Sequence, residues 1–144
     1  PDIPNFHKCI LATLDDQGVS IDYDLSLVLD QDERLRELNH EFLCHDKPTD
    51  VLAFPTLHVD PDSGNPYLGD VIISFPRAQA QAEKAGHSVS AELCLLTIHG
   101  ILHLLGHDHD QPETKAKMWH AQNQILAELG VQINLFDIST QSES

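Results

Sequence analysis

The segment His99-Gly100-Ile101-Leu102-His103-Leu104-Leu105-Gly106-His107-Asp108-His109 constrains this chain more than any other. His99 and His103 are four residues apart, so a helix stands both imidazoles on one face, a turn from each other. Gly106 is placed to end that helix in a left-handed cap and turn the chain back. His109 can then approach the same point. Leu93, Leu96, Ile101, Leu102, Leu104 and Leu105 make this the most apolar helix expected in the chain. Two imidazoles on such a helix are costly to bury without a partner, and a metal ion supplies one. Three neutral imidazoles with a fourth position open are the pattern of a catalytic site, most often zinc, rather than a closed structural one.

The spacing repeats the metalloprotease pattern H-E-x-x-H-x-x-G-x-x-H at every position but one. Gly100 stands where that pattern has the glutamate that acts as general base, and glycine cannot take a proton. The only methionine, Met118, falls on an expected helix and not in a Met-turn. Ligand spacing is thus kept while the protease base is missing. A glycine here is expected to leave room for a bulky substrate. His107 is a spare ligand or a surface residue, and the spacing favours His109. Asp108 and Asp110 are candidates to orient an imidazole. Glu92 reads as a carboxylate complementing the helix dipole.

The 144 residues suit one domain with a real core. Eight Lys and Arg against 23 Asp and Glu give a net charge of −15, which disfavours a nonspecific nucleic-acid binder. A nucleic-acid partner would need a local basic patch or a metal; Lys47, Arg77 and Lys84 are the candidates for a patch. Cys9, Cys44 and Cys94 are odd in number and far apart in sequence. They form neither a disulfide framework nor a cysteine zinc site, and suit a reducing compartment. No apolar run approaches the ~20 residues of a membrane span, and no leader-like segment opens the chain.

Apolar spacing predicts a helix over Phe6 to Leu14 and a half-buried strand over Tyr23 to Leu29, with Leu25, Leu27 and Leu29 inward. Asp30 and Glu33 read as a capping box opening a second helix. Val51 to Phe54 and Gly69 to Phe75 read as strands. Helices are expected from Pro76 to Ala85, stopped by Gly86, from Val89 to Leu105, capped by Ser88, and from Glu113 to Leu129, with Met118, Ile125 and Leu129 on one face. Residues 139–144 form a polar tail. Mixed strands and helices with no internal repeat indicate a small α+β layer fold.

With these residues in place, the chain resembles the YbeY family of bacterial rRNA maturation factors. The resemblance rests on the histidine segment, on Asp46-Lys47-Pro48-Thr49-Asp50-Val51-Leu52-Ala53-Phe54-Pro55 and on Leu68-Gly69-Asp70-Val71-Ile72-Ile73, in family order, with Gly86-His87 before and Met118 after the histidines. It implies a single domain over 1–144, lacking the strand that usually precedes the first helix. It further implies a small mixed sheet packed with helices, and a zincin-like metal site on a central helix. The implied activity is a single-strand-specific, metal-dependent endoribonuclease for small-subunit rRNA 3′-end maturation and ribosome quality control in the cytoplasm. One zinc ion is then carried by His99, His103 and His109. The partners are rRNA and the small ribosomal subunit, with neither DNA nor membrane. Lys47, adding charge near the cleft, and Asp70, orienting the pocket, are the candidate catalytic residues. The chain departs from the family at Leu43, where an arginine is usual; its loss removes a phosphate contact, for which Lys47 or His45 is a partial substitute. The competing readings are a metal-dependent hydrolase of peptides or small amides and a non-enzymatic zinc-containing ribosomal factor.

Overall fold

The helix expected around the histidines forms over Val89–Leu104, and every residue of it from Ala91 to Leu102 is buried. The computed structural model describes residues 4–19, 23–43, 50–59, 64, 66–107, 111–131 and 133. In chain order the elements are α1 (Phe6–Asp16), β1 (Asp24–Asp30), α2 (Asp32–Leu43), β2 (Val51–Val59), β3 (Pro66–Ser74), α3 (Phe75–Ala85), α4 (Val89–Leu104) and α5 (Pro112–Leu129). This is an α+β domain. Its sheet has the order β1-β3-β2, with β1 parallel and β2 antiparallel to β3.

Strand alternation sorts the sheet into two faces. Val51, Val71 and Ile73 turn to α4 and meet Leu93, Leu96, Ile101 and Leu104, together with Ala78 of α3 and Leu14 of α1. Leu52 and the partly buried Phe54 and Ile72 turn the other way and meet Leu35 and Leu38 of α2. On the side of α4 away from the sheet, Cys94, Leu95, Ile98 and Leu102 pack with Cys9 of α1 and with Met118, Ala121, Ile125 and Leu126 of α5. The central helix is apolar all round because it is enclosed all round.

The helix ends follow from local chemistry. The Ser88 side chain accepts from Ala91 N and caps α4. At the other end the Gly106 backbone is left-handed, with φ 98°. Gly106 N donates to His103 O at 3.0 Å and His107 N to Leu102 O at 2.9 Å, which together make a Schellman turn. Gly86, with φ 80°, ends α3.

Three expectations are revised. Asp30 does not cap α2: it stays in the β1 ladder opposite Ser74, the helix starts at Asp32, and the first backbone bonds close on Gln31 O. Leu29 is 37% exposed, because β1 is an edge strand of this sheet and its Leu25 and Leu27 are the residues that meet the helix layer. Strand β2 runs through Pro55 to Val59, with a register shift between Pro55 and His58; an edge strand tolerates the missing donor.

Two cysteines that are distant in sequence meet in the core. The Cys9 and Cys94 thiols are buried and 2.8 Å apart, joining α1 to α4 as free cysteines. Hydrogen bonding to Cys9 and burial push the Cys94 thiol up, so it stays protonated. Cys44 lies outside the described residues.

Candidate metal centre

Helix α4 delivers the two imidazoles as its spacing requires. The ε nitrogens of His99 and His103 are 3.0 Å apart. The rings meet edge to face at an interplanar angle of 74°. His99 is 5% exposed and His103 half-buried, so the pair sits at the boundary between core and solvent. On its other side, His99 Nδ1 lies 2.6 Å from Oε1 of Gln122 on α5. An amide oxygen only accepts, so Nδ1 carries the hydrogen and the Nε2 lone pair of His99 faces His103. Convergent imidazole nitrogens, one of them held in the ligating tautomer, fit a zinc ion. Among the described residues no group of three potential ligands gathers. His109, the third expected ligand, lies outside the described residues, as do Asp108, Asp110, Lys47 and His45.

His107 is drawn elsewhere. Its Nε2 is 2.7 Å from the Gln17 side-chain oxygen at the end of α1. A cleft of about 180 Å³ opens beside it, lined by Leu105, Gly106, His107, Thr114 and Lys117. Glu92 is fully buried and bonds His87 at 2.6 Å, five residues back along the chain. That contact gives its carboxylate a task beyond the helix dipole.

Asp70 is not brought to the histidines. Gly69, Val71 and Ile73 face α4, so alternation turns Asp70 to the opposite face with Ile72. There its carboxylate accepts from the Tyr67 hydroxyl, which also contacts Ser26 at 2.7 Å. Arg77 is likewise committed: its guanidinium holds Asp32 through Nε–Oδ1 at 2.9 Å and Nη2–Oδ2 at 3.1 Å. Hydrogen bonds from Arg77 and Ser74 hold the Asp32 carboxyl below the usual carboxylate range.

Gly100 does not leave an open space for substrate. A Cβ added there would lie 2.5 Å from Val71 Cγ1 and 3.3 Å from Val51 Cγ2. The glycine is the point at which α4 touches the sheet, and the space beside it is filled by valine.

A family model described as Endoribonuclease YbeY matches residues 3–130. The chain belongs to the YbeY family. Endoribonuclease YbeY of Acetivibrio thermocellus is 39% identical over 139 residues, 88% of this chain and 86% of that protein. The one from Halalkalibacterium halodurans is 44% identical over 117 residues, covering 76% and 74% of the two chains. A solution structure of a Thermotoga maritima protein superposes with a TM-score of 0.52 at 25% identity, over 97% of this chain and 86% of that one. His99, His103, Gln122 and the valines under Gly100 all fall within the YbeY match.

Sequence reasoning missed Gln122 and misjudged the surroundings of Gly100. A signal for Gln122 was present: an amide among Met118, Ala121, Ile125 and Leu126, on the inward face of α5. No such signal marks Val71 as the neighbour of Gly100, since the contact depends on how helix and sheet dock.

Proposed function

We propose that this chain is a zinc-dependent, single-strand-specific endoribonuclease. In this reading it acts in the cytoplasm on the 3′ end of small-subunit rRNA and in ribosome quality control, with the small ribosomal subunit as partner. One observation carries the reading: two imidazole ε nitrogens converge at 3.0 Å beside a position, 100, where the sheet leaves no room for a side chain. His99, His103 and His109 hold the ion. Zinc there supplies Lewis-acid polarisation of a phosphodiester oxygen and eases the ionisation of water.

The other tasks fall to the chain itself. Enzymes of the H-E-x-x-H type take their base from the residue after the first histidine. A carboxylate at 100 would collide with Val71 and Val51, which argues against the peptidase reading. Phosphodiester cleavage asks instead for positive charge around the phosphate. With a net charge of −15 and Arg77 bound to Asp32, that charge is scarce. Lys47 is assigned the cation near the scissile phosphate, where Leu43 offers no guanidinium. Lys117 adds one in the cleft beside His107. The activity named for the relatives supports the reaction class.

The test is His103→Ala, assayed for zinc content and for cleavage of a single-stranded precursor rRNA fragment. Zinc is lost, and cleavage falls about a thousandfold, the equivalent of several kcal/mol of lost transition-state stabilisation. Cleavage that survives loss of zinc refutes the mechanism.

A further inference from the structure

We propose that Gln122 is a positioning residue that sets the tautomer of His99 and so prepares its Nε2 for a metal ion. This inference rests on the reading above that His99 and His103 hold zinc. The geometry is specific. Gln122 is 1% exposed on the inward face of α5, where its neighbours Met118, Ala121, Ile125 and Leu126 are apolar. A buried amide is costly unless it is hydrogen-bonded, and here its oxygen lies 2.6 Å from His99 Nδ1.

The two ends of the amide would have opposite effects. With the oxygen toward His99, Nδ1 must donate, and Nε2 presents a lone pair to the point it shares with His103. With the NH2 group toward His99, Nδ1 must accept, the hydrogen moves to Nε2, and the ligating position is blocked. The bond therefore selects which nitrogen is available, and it also fixes the ring plane. The acceptor is a neutral amide rather than a carboxylate, so it orients the ring while adding no negative charge. A glutamate can play the same part, since a carboxylate only accepts. Leucine, close in size and apolar, cannot.

Two measurements on the full chain test this, with Gln122→Leu and Gln122→Glu compared with wild type. The first is the imidazole nitrogen NMR spectrum of the zinc-free proteins. Wild type and Gln122→Glu show His99 protonated on Nδ1, whereas Gln122→Leu shifts the population toward the Nε2-protonated form. The second is zinc affinity by competition with a chromophoric chelator. Gln122→Leu binds zinc roughly 10- to 100-fold more weakly, and Gln122→Glu binds at least as tightly as wild type. An unchanged His99 tautomer in Gln122→Leu overturns the proposal, as does zinc affinity within twofold of wild type. Parallel losses in both variants would mean that only packing was disturbed, and also overturn it. If wild type shows the expected tautomer but binds no zinc, the metal reading fails while the hydrogen-bond assignment stands.

Discussion

Gly100 is the residue on which helix and sheet come closest, and its role is one of size. Replacing it with alanine raises intrinsic helix propensity by about 1 kcal/mol. The new methyl, however, must displace Val71 Cγ1 from 2.5 Å. Overpacking of this kind costs roughly 1–3 kcal/mol, so Gly100→Ala should unfold at lower urea concentration than wild type. A midpoint equal to or above wild type would show that Val71 yields freely. At this scale the sequence is legible where chemistry is local. His99 and His103 are one turn apart on any helix, and Ser88 caps whatever helix follows it. Gln122 and Val71 reach the site through docking of α5 and the sheet, which no spacing within α4 encodes.

Among the elements, the Asp32–Arg77 pair ties the start of α2 to the start of α3, with Ser74 Oγ donating to the same carboxylate at 3.0 Å. Asp32 has a depressed folded-state pKa. Its contribution is therefore present above the ordinary carboxylate value of ~3.9 and is lost as pH falls through the lower folded value. Both side chains are 35% exposed, so the pair is worth about 1 kcal/mol. Arg77→Gln should be less stable than wild type at pH 7, and the gap should close in strong acid. A gap that persists at pH 2 would assign the loss to packing of the arginine stem. Element types and most ends were readable from apolar period, caps and glycines. The errors at Leu29, Asp30 and Pro55 share a cause: edge-strand behaviour and ladder pairing are set by a neighbouring strand, and one segment read alone does not contain its neighbour.

For the whole molecule, two apolar clusters hold α4 without help from the histidines. If zinc occupies the proposed site, its removal by a chelator should therefore leave a folded protein. We expect unchanged far-UV circular dichroism and a Tm lower by roughly 10 °C, the scale of a bound ligand's contribution to a domain of this size. Cooperative unfolding on chelation at room temperature would instead make zinc a structural element. Among the described residues no helix is long and apolar enough to cross a membrane; the apolar surface of α4 is covered by the sheet and by α1, α3 and α5. That has a consequence in the order of synthesis. Residues 6–85, which carry α1, α3 and the sheet, are made before α4. Among the described residues only α5 follows, ending at Leu129, 25 residues after Leu104. At ~5–20 residues per second, the most adhesive segment of the chain emerges toward partners already made. It waits only seconds for the last of them, a short exposure for a helix buried along most of its length.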